Sequence, residues 1–456
     1  MARKARAVLC RDLNKFVVET ITVDPPKRGE VTVKMGACGV CHSDLSAANG
    51  TIALPLPLVL GHEAAGVVEE VGEGVSGFAK GDHVVFSFIY MCGKCRFCVA
   101  GRPVLCLEQG KALTTPLEGT PRVHDAAGKP LNIFSGCGTM AEYATVSAEN
   151  LIRIDPKIPM ECGALVGCAV TTGVGAVFNT AKIEPGSSVA VFGCGGVGLS
   201  AIQGARIAGA RQIIAIDTLE AKLKMATGLG ATETVITKAG EDVVKTLKKL
   251  TGGGPDYAFE CVGSGELAGA AYRAIRRGGT AVVVGVAKPA DNTSVRTMTL
   301  VFEEKTLTGS YFGSCVPSID FPRMLALYQG GSLKLDELIT RRYSIDEAPQ
   351  AFADLQAAAA VVTPDLSLWH VPGHGAGVRT SLPLRKDADP AVWPRCRRQR
   401  SGLRSRAVSD RAGRDPHGRP ALLAARRGRS GTTAPLSAPA SGSGRAPQKD
   451  QVLELR

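Results

Sequence analysis

Residues 188–218, SVAVFGCGGVGLSAIQGARIAGARQIIAIDT, constrain the fold more than any other stretch of this chain. Val189 to Phe192 make a short apolar, partly β-branched run of the kind buried in a parallel sheet. Gly193, Gly195 and Gly198 follow on a G-x-G-x-x-G spacing, with Gly196 and Val197 between them. The first glycine permits a tight turn, the second lets backbone approach a pyrophosphate, and the third lets the next helix pack closely on the sheet. The helix N-terminus adds unpaired N–H groups for an anion. A helix is predicted over 196–208 and a second strand over 213–216, ending at Asp217. An acid at that offset accepts hydrogen bonds from an adenosine ribose and repels a 2′-phosphate, so the pattern selects NAD over NADP. A glycine-rich turn could satisfy the fingerprint alone, but strand, helix, strand and acid together make a dinucleotide cradle.

At 456 residues the chain has room for two or three domains. Its net charge of +12 suggests a nucleic-acid partner until the charge is located. Residues 361–456 carry 18 Lys and Arg against 7 Asp and Glu, whereas residues 1–360 are nearly balanced at 36 against 35. Nucleic acid is therefore not expected as a partner of the body. The 14 cysteines follow no secretory pattern, since MARKARAV is basic without an apolar run behind it. A reducing cytoplasm is expected, where clustered cysteines hold metal. No uninterrupted apolar run reaches the length of a membrane span; residues 164–178 come nearest, are broken by Thr171 and Thr172, and read as a buried helix.

Short β-rich runs separated by polar turns open the chain: ARAVLC, FVVETITV, EVTVKM, AAGVVEEVG, DHVVFSF and EYATVS. They predict an antiparallel, β-rich module in the form of a partly open barrel. From about Glu161 strand and helix alternate, with SVAVF, QIIAID, TVIT, YAFEC and TAVVVGV as strands and DVVKTLKKL as one of the helices between them. That alternation is α/β, a doubly wound parallel sheet.

Two sets of metal-ligating residue types lie in this arrangement. Cys92, Cys95, Cys98 and Cys106 have two, two and seven residues between them, a spacing that closes tetrahedrally on Zn²⁺ with no position left for water. The site they predict is structural, with an iron–sulfur cluster or free thiols as alternatives. Cys41 in GVCHSD, His62 in GHE and Cys168 in GCAVTTG form a dispersed set, and Cys₂His with one open position is a catalytic zinc arrangement. Singly, each reads as a buried cysteine or a packed histidine.

Taken together, GVCHSD, GHEAAGVVEEVG, the four-cysteine lobe, GCxxTTG at 167–173 and GCGGVG resemble the zinc-dependent medium-chain alcohol dehydrogenase family over roughly residues 5–356. The resemblance implies a Rossmann doubly wound sheet inserted in a GroES-like, β-rich catalytic domain, with a cleft between them. Expected bounds are 1–165 for the catalytic domain with its lobe, 166–305 for the NAD-binding domain and 306–360 for a return segment without a recognisable last strand. The resemblance also implies two zincs per chain and NAD, with Cys41, His62 and Cys168 as catalytic-zinc ligands. Glu63 would lie beside the metal and Asp44 behind its ligands, Ser43 would accept the alcohol proton, and His42 would reach the pyrophosphate. Asp217 and Lys222 would hold the ribose, although Lys222 also reads as an ordinary surface lysine. Phe88, Phe134 and Val286 would line the cleft, Val286 also touching the cofactor, and 107–136 resembles an extended loop near the pocket. The substrate implied is a primary aryl or medium-chain alcohol or its aldehyde, handled by a homodimer or homotetramer. Where relatives with a proton relay place a histidine, this chain has Ser46.

The resemblance stops at Gln356. AAAAVVTPDLSLWHVPGHGAG replaces the expected basic lead-in and terminal strand, and the Arg-, Pro-, Gly-, Ala- and Ser-rich remainder has no sustained apolar period. Residues 361–456 are accordingly expected to form a disordered basic tail. A shifted reading frame near 356–360 is favoured over a nucleic-acid-binding extension. An inactive relic of the family is the alternative to the enzyme.

Overall fold

Each β-rich run finds its partner through its buried face. In the computed structural model, which describes residues 1–116, 119–238, 241–358 and 367–370, the opening strands Arg3–Asp12 and Lys15–Val23 form an antiparallel hairpin. Asn14 turns it with φ 60°, a left-handed conformation that asparagine tolerates. Val123–His124, Leu58–Val59 and Asn132–Ile133 complete a five-stranded sheet around this pair.

A seven-stranded sheet is built on Glu30–Val40, which is buried along nearly its whole length. Ala64–Val71 pairs along one side of it, with Tyr143–Ser147 on its N-terminal half. His83–Phe86 and Leu151–Arg153 extend the sheet beyond Ala64–Val71. On the far side of Glu30–Val40 lies Ser367–His370, paired in turn with Arg341–Tyr343. This corrects the expectation that the body lacks a last strand and that all of 361–456 is a disordered tail. Trp369 is a residue type a strand favours, and the sheet has a lane for the segment between Glu30–Val40 and Arg341–Tyr343. Residues 371–456 lie outside the described residues.

The third sheet contains six parallel strands in the order Glu233–Ile236, Gln212–Asp217, Ser188–Phe192, Tyr257–Glu260, Thr280–Val283 and Thr306–Gly309. Counted along the chain this is 3-2-1-4-5-6, the doubly wound order whose switch point lies beside the first strand. The sixth strand was absent from the sequence reading, so the parallel sheet runs past the bound expected at residue 305.

One helix, Met160–Ala181, joins the two halves, and the expected boundary at 165/166 falls inside it. It is long and apolar enough to cross a membrane, yet it is buried in the core. Its Leu165, Val166, Val170, Val174 and Val177 pack in one cluster with Ala37, Ala65 and Val85 of the catalytic sheet and Val189, Val191 and Ile213 of the parallel sheet. At about 1.5–3 kcal/mol for each fully buried large aliphatic side chain, this seam ties both sheets to one rod. The extended segment 107–136 is anchored by Arg122, itself buried, whose guanidinium donates to both carboxylate oxygens of buried Glu30 at 2.7 and 2.9 Å.

Candidate metal and cofactor site

Cys41, His62, Glu63 and Cys168 come from three separate pieces of chain, and the fold brings them together. Cys41 ends the Glu30–Val40 strand and precedes the helix His42–Ala48; its carbonyl accepts from the N–H groups of Asp44 and Leu45. His62 and Glu63 lie just before the strand Ala64–Val71. Cys168 sits in a π-helical turn, Val166–Val170, of the joining helix, where the Thr171 hydroxyl donates to the Val166 carbonyl at 2.6 Å. Wide turns of this kind cluster at functional sites. One ligand atom from each of the four residues lies within 4.8 Å of the others.

The electrostatics suit a cation. Asp44 is wholly buried; its Oδ1 accepts from the Gly61 N–H at 2.7 Å, and its Oδ2 lies 3.1 Å from His62 Nδ1. The Asp44 carboxylate thus places its charge on the Nδ1 side of the imidazole. Asp44 Oδ2, both ring nitrogens of His62 and both Glu63 oxygens are buried without a hydrogen-bond partner of good geometry, a costly arrangement that a metal ion at His62 and Glu63 would relieve in part. Hydrogen bonding from Cys168 holds the Cys41 thiol well below its usual pKa against the opposing effect of burial, and nearby His62 helps. Cys168 is raised in return. Burial alone would lower His62, but the charges of Asp44 and Cys41 raise it well above its ordinary value. Burial likewise pushes Glu63 well above the usual carboxylate range. Two sulfurs and one imidazole nitrogen, with a carboxylate alongside, fit Zn²⁺.

Phe88 and Phe134 meet the His62 ring edge-on, with centroids 5.3 and 5.2 Å away. Sequence reasoning missed Tyr311 and Phe312, which join this wall: Phe312 lies 4.2 Å and Tyr311 6.4 Å from Phe88. Phe312 reaches it from a backbone at φ 50°, a conformation no residue pattern announces. Ser43 accepts a long contact from the Cys41 thiol at 3.7 Å, His42 is exposed at the start of its helix, and the Ser46 carbonyl accepts from the Ile52 N–H. Val286 is 68% exposed just beyond the fifth parallel strand.

Cys92, Cys95, Cys98 and Cys106 form the second group, again with ligand atoms within 4.8 Å of one another. Backbone N–H groups point at the sulfurs: Cys95 donates to Cys92 at 3.3 Å, and Cys92 and Glu108 donate to Cys106 at 3.4 Å. Hydrogen bonds from the Cys98 and Leu107 backbones lower Cys95 to about 6 and backbone donation lowers Cys92, whereas burial pushes Cys98 up to about 12.

At the cofactor turn, Gly193 adopts φ 89°, and a Cβ on Gly198 would stand 1.8 Å from the Gly193 carbonyl oxygen. Gly195 caps the helix Gly196–Ile207, whose first turn carries Val197 and Gly198. Asp217 ends the second strand; its carboxylate accepts from the Cys194 N–H at 2.8 Å and the Leu219 N–H at 3.0 Å, bracing the turn. Lys222 follows on the helix Glu220–Leu229 and is buried rather than an open surface lysine. The metal and cofactor regions touch directly, because a Cβ on Gly173 of the joining helix would lie 2.2 Å from the Val197 carbonyl.

Known proteins match this arrangement in both halves. Residues 27–156 match the alcohol dehydrogenase GroES-like domain, and residues 196–330 match the zinc-binding dehydrogenase domain. The S-(hydroxymethyl)glutathione dehydrogenase of Saccharomyces cerevisiae is 40% identical over 363 residues, covering 77% of this chain and 93% of the yeast protein. Among solved structures, an alcohol dehydrogenase zinc-binding domain protein from Burkholderia ambifaria superposes with a TM-score of 0.77 at 35% identity, covering 82% of this chain and all of that one. Benzyl alcohol dehydrogenase from Acinetobacter calcoaceticus does so with 0.74 at 32% identity, covering 81% and 99%. With both domains matched and a relative 40% identical over 93% of its length, the chain belongs to the zinc-dependent medium-chain alcohol dehydrogenase family.

Proposed function

We propose that this protein is an NAD-dependent zinc alcohol dehydrogenase that interconverts primary aryl or medium-chain alcohols and their aldehydes. The observation that carries this reading is the convergence of Cys41, His62, Glu63 and Cys168 beside an aromatic wall, with Cys168 on a helix that packs against the cofactor turn. Cys41, His62 and Cys168 would hold the catalytic zinc, and Cys92, Cys95, Cys98 and Cys106 the structural one. When bound, zinc supplies a Lewis acid that acidifies the alcohol, and NAD supplies the hydride acceptor. With zinc bound, Asp44 would accept the Nδ1 proton of His62, 3.1 Å away, and leave Nε2 for the metal. Ser43 takes the alcohol proton, and exposed His42 or solvent carries it away, since Ser46 offers no titratable ring. Phe88 and Phe134 exclude water from the ligand side of His62 and favour an apolar substrate. Gly193, Gly195, Gly196, Val197 and Gly198 shape the pyrophosphate cradle, while Asp217 and Lys222 flank the ribose position.

The protein would work in a reducing cytoplasm, a placement supported by thirteen free cysteines among the described residues. A homodimer or homotetramer is expected; the edge strand Thr306–Gly309, beside exposed Met298, Val301 and Phe302, is a surface suited to a second copy. Zinc stoichiometry by mass spectrometry, paired with NADH formation from benzyl alcohol, tests the function. Two zincs per chain with NADH formation are expected. Zinc held by the four-cysteine lobe alone, with no turnover, overturns the reading.

A further inference from the structure

The strand Ser367–His370 lies beyond the point where the family pattern stops, yet it occupies an interior lane of the seven-stranded sheet. Its register is specific. Ser367, Leu368, Trp369 and His370 pair antiparallel with Val40, Gly39, Cys38 and Ala37, the four residues that lead into Cys41. On its other edge Ser367, Leu368 and Trp369 pair in parallel with Arg341, Arg342 and Tyr343.

The opposite side of the same lead-in runs beside the segment that carries His62 and Glu63. Ala37 and Cys38 pair with Ala65 and Ala64, and the Gly39 N–H donates to the Glu63 carbonyl at 2.7 Å. Pairing on that side ends there. Among the described strand pairings, Val40 is matched with Ser367 alone. The residue preceding a candidate metal ligand thus takes its lateral position from the segment 367–370. A ligand set must be held to a fraction of an ångström to keep its metal, and a shift of about 1 Å is enough to spoil such a site.

We infer that residues 367–370 act as a positioning strand for Cys41, so that retention of the catalytic metal depends on a segment whose sequence departs from the family. Among the described residues, no strand pairing joins the four-cysteine lobe to this strand or to either of its partners, which makes the lobe zinc the internal reference for the test. The inference rests on the reading of Cys41, His62 and Cys168 as metal ligands.

The test uses the full chain. Leu368→Pro removes a ladder N–H from an interior lane, which such a strand does not tolerate. The expected result is a fall from two zincs to one per chain and loss of the thiolate-to-cobalt charge-transfer band after cobalt substitution, with lobe zinc and NAD binding kept. Leu368→Val, which keeps the backbone donor, should restore both zinc and band. In the unaltered protein, backbone amides of 367–370 should exchange with solvent deuterium at least a hundredfold more slowly than those of an unstructured peptide. Exchange at the unstructured rate overturns the inference without any variant, so a Leu368→Pro chain that fails to fold does not shelter it. Two zincs and an unchanged cobalt band in Leu368→Pro overturn the strand's role alone. A single zinc in the unaltered protein overturns the metal reading beneath it as well.

Discussion

Asp217 does two jobs that can be separated by substitution. Its carboxylate accepts the Cys194 and Leu219 N–H groups at 2.8 and 3.0 Å, and in the NAD complex it would also receive the ribose hydroxyls. A hydrogen bond to a charged group contributes about 1.5–3 kcal/mol, and ~1.4 kcal/mol is a factor of ten. Loss of the ribose contact should therefore weaken NAD by about one to two powers of ten. Removing the negative charge also lifts the repulsion against a 2′-phosphate. In Asp217→Gly both braces of the turn disappear, so the melting temperature should fall as well, by roughly 2–4 °C for each kcal/mol lost. Asp217→Asn keeps one acceptor oxygen. It should shift preference toward NADP with a smaller thermal penalty. The assay is kcat/KM for NAD and for NADP in the two variants, alongside thermal unfolding. An NAD to NADP ratio that stays at the parental value in both variants refutes the assignment; equal melting temperatures for the two refute the bracing role.

Three further outcomes are expected. Cys41→Ser should abolish turnover and leave one zinc per chain at the lobe; full activity in that variant excludes Cys41 as a ligand. Asp44→Asn, which removes the charge facing His62 Nδ1 at 3.1 Å, should lower affinity for the catalytic zinc by about 10–100-fold, read by chelator competition. Arg122→Met strands the buried Glu30 carboxylate and should cost about 3–5 kcal/mol in denaturant unfolding, whereas loss within 0.5 kcal/mol would show the pair to be dispensable.

The parts legible in the sequence were those whose chemistry is local. The glycine turn and the four lobe cysteines announce themselves because one short loop must supply all the groups, and spacing records that demand. Cys41, His62 and Cys168 are far apart in sequence, so only recognisable motifs around each linked them before the fold did. Tyr311 and Phe312 escaped because their approach to Phe88 depends on left-handed backbone within 312–314. Thr306–Gly309 escaped because four residues reading TLTG carry no alternation long enough to mark a strand. Ser367–His370 escaped because an interior lane is defined by its neighbours, Glu30–Val40 and Arg341–Tyr343, and its own four residues sit amid composition that argued against order.

The widened turn at Val166–Val170 also fixes the phase of the rod that carries it. Cys168 must face the ligand cluster, while Gly173, in the α-helical segment Thr171–Gly175, must press against the Val197 carbonyl. Each α-helical residue advances the direction of a side chain by about 100°. Deleting one residue between Cys168 and Gly173 would swing Gly173 and everything after it by roughly that angle relative to Cys168, leaving one of the two contacts facing the wrong way. The number of residues between Cys168 and Gly173 is therefore as much a part of the site as the residues themselves.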